Sequence, residues 1–215
     1  MTASFLYDTY IYTNRHFRRK NINLFYIDKC PIKAAQMHCD QHVVKMLVET
    51  AQMLSTAHRV LDGEKTKRPS KSGKRMVDYW VHPDAFKEEV LYKACHVNHP
   101  SSIWIRESVE HYGWAKDLMN ALADEYEYRY GKQHGTALTV LPYLQLPPKS
   151  MKMNGGWTPP PQCMPDEIKR PITQTMLAYR DFYITEKSKF AKWNKNRKSP
   201  DWYLTKPSED TILSM

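Results

Sequence analysis

From Pro31 to Leu61 the chain reads PIKAAQMHCDQHVVKMLVETAQMLSTAHRVL, with no helix breaker after the opening proline. This predicts one long helix. Proline is tolerated at a first helical position, where its missing N–H costs nothing, and Asp62-Gly63 supplies the stop. At about 100° per residue, His38, His42, Lys45, Glu49, Gln52 and Thr56 share one narrow stripe. Val43, Val44, Leu47, Ala51, Leu54 and Leu61 fall opposite, as a core face. Met37 and Val48 flank the polar stripe on one side, Met46 and Met53 on the other. A solvated face would carry more Lys and Glu at its margins. The pattern therefore predicts a polar seam let into a buried helix, and such a seam needs partners or lines a cleft. The plainer reading makes Lys45 and Glu49 an ordinary surface pair and His38 and His42 structural histidines. Asp40 and His58 sit on the apolar side, ~27 Å apart along a straight helix, so each needs its own partner.

A second long helix is predicted from a Ser101 or Ser102 cap to a stop near Gly131. Ile103, Trp104, Val109, Trp114, Leu118 and Leu122 form its core face. Gly113 inside it costs ~1 kcal/mol against alanine, which suggests a close helix crossing. Ile22–Ile27 reads as an extended lead-in, and Asp84 as the cap of a short helix from Ala85. A third helix starts at Pro171. The expected fold is all-α: a compact bundle of long helices with a Pro-rich insert and basic loops. Residues 1–21 form an N-terminal extension, 22–206 a single helical domain and 207–215 a C-terminal tail. Within the domain, 62–76 carries six basic residues with Pro69 and Gly73, a mobile basic loop. Residues 132–172 hold eight of the fourteen prolines, and their aromatic and Met content marks an ordered insert.

Lysine and arginine number 32 against 23 acidic residues, a net charge of +9, which suits a nucleic-acid partner. No apolar run approaches the ~20 residues of a membrane helix, and no secretory leader is visible, so a cytoplasmic chain without membrane contact is expected. Cys30, Cys39, Cys95 and Cys163 lack C-x-x-C spacing and read as reduced side chains. In the C-terminal stretch, Lys187, Lys189, Lys192, Lys195, Arg197 and Lys198 alternate with Phe190, Trp193, Trp202 and Tyr203. Cations neutralise phosphates and flat rings stack on bases, so the mixture suits DNA. The alternative is a basic tail whose rings tuck into the core.

Ile22-Asn23-Leu24, then Asp40-Gln41-His42 with Glu49 seven residues on, and finally Pro200-Asp201-Trp202-Tyr203 resemble the small phage-type pyrimidine-dimer DNA glycosylases. The resemblance implies an all-helical, metal-free and cofactor-free enzyme that excises a base from DNA and can nick the backbone. It makes Glu49 the acidic residue and places Trp202 and Tyr203 near the lesion. For a phage protein the location is the host cytoplasm. The family has arginines where this chain has Val48 and Gln52. The family's nucleophile is an N-terminal α-amine just before the INL match, where this chain has an extension.

The chemistry expected of the seam follows. Glycosidic cleavage passes through an oxocarbenium-like state that a carboxylate beside the sugar stabilises, a role for Glu49. Lys45 is the seam's only lysine and ranks second, since pairing with Glu49 opposes its nucleophilicity. His42 is a proton shuttle or phosphate contact and His38 a DNA contact. Gln52, Arg106, Lys192, Lys195, Arg197, Trp202 and Tyr203 complete the expected DNA surface of a monomer. Two other classes compete. One is a non-catalytic nucleic-acid-binding protein. The other is a metal-dependent hydrolase or nuclease using His38 and His42, joined by Cys39, Cys95, His96 or His99.

Overall fold

A computed structural model describes residues 22–204 except 71 and 154. The expected extension at 1–21 and tail at 207–215 lie outside the described residues. The described chain is largely helical, with one small two-stranded sheet. Among the described residues no helix is long and apolar enough to cross a membrane.

The predicted 31–61 helix is two helices, α1 (Pro31–Met37) and α2 (Asp40–Asp62). His38 and Cys39 between them are extended, with ψ of 142° and 162°. No local residue dictates that break; tertiary partners do. Arg129 donates to the carbonyls of Gln36 and His38, each at 2.9 Å. The Cys39 amide donates to the Tyr183 hydroxyl at 2.8 Å and the Asp40 amide to the Lys192 carbonyl at 2.9 Å. Each backbone group that the break frees thus has a partner.

The second predicted helix also divides, into α4 (Pro100–Glu107) and α5 (Val109–Tyr130). Ser108 is extended and caps α5 by accepting from the His111 amide. Its hydroxyl donates to the Gly156 carbonyl at 2.8 Å. A side chain at Gly155 would collide with Ser108, so this glycine lets the Pro-rich segment close on the α4–α5 corner. Gly113, by contrast, faces open space, and the close crossing expected there is absent.

The largest departure is the basic loop. Residues 62–76 open an antiparallel hairpin, β1 (Glu64–Pro69) paired with β2 (Met76–Val81), with Lys67 opposite Asp78 and Arg68 opposite Val77. Cross-strand contacts of its cations stabilise it. Lys65 and Lys67 hold Asp78 on one face, and the Arg68 guanidinium lies 3.8 Å over the Tyr79 ring on the other. Helix α3 (Ala85–Val90) follows, with Asp84 accepting from the amides of Phe86 and Lys87 as its cap.

In the Pro-rich stretch, α6 (Gly135–Thr139) and a 3₁₀ turn precede extended backbone. The Trp104 indole donates to the Thr158 carbonyl, and the Thr158 amide donates to His111. Helix α7 (Thr175–Glu186) begins four residues after Pro171, behind a 3₁₀ turn, and α8 (Asp201–Leu204) ends the described chain. The core lies between α2, α5 and the buried lead-in, whose Ile22, Leu24, Phe25 and Ile27 are all but inaccessible. Deleting a Leu side chain of this kind costs on the order of 2–5 kcal/mol.

Candidate functional site

The middle of α2 presents Lys45, Glu49, Gln52 and Thr56 on successive turns, as the spacing predicts. Glu49 is 9% exposed. One carboxylate oxygen lies 3.0 Å from the Lys45 ammonium; the other accepts the Asn23 backbone N–H at 3.2 Å. Asn23 itself is held firmly. Its side-chain oxygen accepts from the Leu24 amide and the Tyr179 hydroxyl, and its amide nitrogen donates to the Cys163 carbonyl. Burial raises the Glu49 pKa, opposed by Lys45, the Asn23 amide and His96. Glu49 is therefore a shielded carboxylate with one ammonium at its rim, able to exchange a proton or to face a developing positive charge.

The wall beyond Glu49 is the segment 91–99. Thr56 donates to the Cys95 carbonyl and accepts the Cys95 amide, each at 3.1 Å, which stitches this segment to α2. His96 follows, exposed and at φ +49°, a conformation uncommon outside glycine. The Arg106 guanidinium donates to the Val97 carbonyl at 2.8 Å from the far side. Arg106, expected on the DNA surface, thus braces the loop that carries His96. Asn98 and His99 close the segment, and His99 caps α4.

The histidines of the seam lie inside the protein. His38 is fully buried, and its Nδ1 donates to the Ala34 carbonyl at 2.6 Å. Burial is the main cause that lowers its pKa, to about 4. His42 packs among Phe25, Tyr183 and Phe190 with ring centroids 4.7–5.2 Å away, and burial holds its pKa well below the ordinary value. Both rings are neutral at pH 7. A phosphate contact by His38 or His42 is thus corrected to an aromatic packing role in this structure, because neither ring reaches the surface. Nor do they form a ligand set with Cys39, Cys95, His96 or His99 among the described residues.

The C-terminal rings pack on the body. Phe190 lies against His42; the Trp193 indole donates to the Met37 carbonyl, and the Trp202 indole to the Met37 sulfur. The Tyr203 ring lies tilted against Trp193, with centroids 4.6 Å apart. Trp202 is thereby anchored before α2 begins, while Glu49 lies nine residues beyond Asp40, about 14 Å along the helix. Arg197 forks onto the Glu125 carboxylate at 2.9 Å and covers the Tyr128 ring, so it is a structural cation rather than a free phosphate contact. Lys195 lies 5.7 Å over Tyr130. The basic hairpin sits past the C-terminal end of α2 and the tail at its N-terminal end, so the two basic elements bracket the helix, about 33 Å apart. Nothing in the sequence marked the hairpin, because four of the six β1 residues are charged and the whole strand is exposed, so it carries no apolar alternation.

Two shallow concavities lie elsewhere. One, of about 340 Å³, runs between α5 and α6 beside Asn120, Asp124 and His134; the other is at the hairpin turn. Neither is lined by Glu49. Lys187 was legible only as one of a run of lysines. Its ammonium sits 4.2 Å over the Phe182 ring, and burial, then Lys45, lowers its pKa. Compared with known family models, curated proteins and solved structures, the chain matches none.

Proposed function

We propose that the chain is a DNA base-excision enzyme, an N-glycosylase for damaged or modified pyrimidines. Glu49 stabilises positive charge at the sugar. The observation that carries the reading is the Asn23 amide on the Glu49 carboxylate at 3.2 Å. It brings the backbone of the Ile22-Asn23-Leu24 stretch to the acid, as a reaction shared between an amine near that stretch and a carboxylate requires. Where strand scission follows, the attacking amine is Lys45 or Lys187. Lys187 has no ion-pair partner among the described residues, whereas Lys45 is engaged by Glu49.

A binding-only protein is the second reading, favoured by the ion pair that already engages the Glu49 carboxylate. One experiment separates them. Ultraviolet-irradiated and undamaged duplexes are incubated with the protein, with EDTA and with borohydride in parallel. Excision that survives EDTA supports the glycosylase, and a borohydride-trapped adduct adds the lyase step. Binding without cleavage supports the second reading.

A further inference from the structure

His58 and Asp62 occupy the last turns of α2, one turn apart, and His82 follows β2. One ligand atom from each lies within 4.8 Å of the other two. Their side chains are almost wholly covered, His58 at 0% exposure as a residue and Asp62 and His82 at 7% and 4% as side chains. The His82 Nε2 is buried with no hydrogen-bond partner and stands 4.0 Å from the Asp62 carboxylate.

We infer that His58, Asp62 and His82 form a binding site for one borderline first-row divalent cation, of which Zn²⁺ is the natural probe. Two imidazoles and one carboxylate suit such ions; magnesium and calcium favour all-oxygen sets.

The surroundings prepare these ligands. Tyr112 donates its hydroxyl proton to the Leu144 carbonyl, so it accepts from His58 Nε2 at 3.0 Å. The Leu146 carbonyl accepts from the same nitrogen at 3.2 Å. The His58 proton is thereby fixed on Nε2, and the Nδ1 lone pair faces the cluster. Such outer partners orient a metal-bound imidazole. Asp62 accepts the amides of Lys149 and Ser150 at 2.9 and 2.8 Å, which fixes its carboxylate plane. The hairpin end is fixed as well. Fully buried Arg59 donates to the carbonyls of Trp80, Glu88, Leu91 and Tyr92, and a side chain on Gly63 would strike the Val81 carbonyl. His82 is thus delivered beside Asp62 by backbone packing.

Two groups must move. The Lys87 ammonium donates to the His58 Nδ1 lone pair at 3.4 Å, where the ion would bind, and must swing out. His82 Nδ1 accepts the Asp84 amide at 3.1 Å, so binding through Nε2 requires the ring to give up that bond and change tautomer. The three ligand atoms also draw in, since bonds of about 2.1 Å imply ligand separations of roughly 3.0–3.4 Å. The bound ion would clip the hairpin to the end of α2 and leave coordination positions open to water.

The test is calorimetric titration of the untagged, chelator-stripped full chain with ZnCl₂ in a reducing buffer. Cobalt(II) absorption then reports the ligand type. The expected result is one saturable site. Asp62→Asn and His82→Gln should each weaken it by roughly tenfold or more, while Lys87→Gln should tighten it. Cobalt should show nitrogen and oxygen ligation. Circular dichroism of each variant shows that the fold is kept, and Cys95→Ser should bind as the parent does. The inference is overturned by the absence of a saturable site, by binding indifferent to Asp62 and His82, or by a thiolate cobalt spectrum lost with Cys95.

Discussion

The backbone N–H of Asn23 and the carboxylate of Glu49 meet at 3.2 Å, across 26 positions of sequence, in the interior of the molecule. This contact joins the two sequence stretches on which the functional reading rests. It also partly offsets the cost of a carboxylate that burial makes reluctant to ionise.

Folding stability should depend on the charge of Glu49. The folded pKa of Glu49 is raised above its unfolded value, with burial the main cause. The protonated form is therefore favoured by folding, and its contribution is lost as pH rises through the folded pKa. Glu49→Gln should melt with the parent at low pH and above it at neutral pH. Paired melting curves from pH 4 to 8 measure this, and a variant less stable than the parent at neutral pH would contradict it.

The buried histidines act at the other end of the scale. Burial holds His38 at about 4, below its ordinary value. Its contribution is complete above the unfolded pKa and is lost as pH falls from roughly 6.5 to 4, an effect on the order of 3 kcal/mol. Denaturant unfolding across that range should show the loss. His42→Phe, in the ring cluster of Phe25, Tyr183 and Phe190, should keep the fold and much of any excision activity. Loss of activity in a folded His42→Phe would restore this histidine to the catalytic set.

Arg129 should be the costliest cation to remove. Its fully buried guanidinium serves the Glu125 and Asp40 carboxylates and the carbonyls of Gln36 and His38. Truncation removes the buried cation from Asp40, leaves Glu125 to Arg197 and strands the carbonyls of the α1–α2 break, so Arg129→Met should cost on the order of 3–5 kcal/mol in urea unfolding. Arg129→Lys should recover little, because an ammonium cannot reproduce the fork.

The side-chain pattern of α2 was legible from its spacing, and Glu49, Lys45 and Thr56 lie on one face as the periodicity required. The lead-in at Ile22–Ile27 and the Asp84 cap were legible for the same local reasons. The breaks at His38 and Ser108 were not, since Arg129, Tyr183 and Gly156 supply the partners from 48 to 144 residues away. The hairpin was hidden because β1 is charged and exposed along its length and shows no alternation of hydrophobicity. His58 announced a need for a partner, and Tyr112 and the Leu146 carbonyl meet it from 54 and 88 residues away.

The tail cations divide by what holds them. Arg197 grips Glu125, so Arg197→Glu should destabilise the fold by placing like charges together. Lys192→Glu with Lys195→Glu should leave the melting temperature close to the parent's and weaken DNA binding. It should also lower the slope of log affinity against log salt by one to two. Unchanged affinity would remove the tail from the DNA surface.

The central claim is that Glu49 stabilises charge at the sugar. Single-turnover excision by Glu49→Gln on an ultraviolet-irradiated duplex, with affinity measured on the same substrate, tests it most directly. The account predicts an intact fold, near-parental affinity and a rate lowered by about 10²–10³. A Glu49→Gln protein that excises at the parental rate would contradict it.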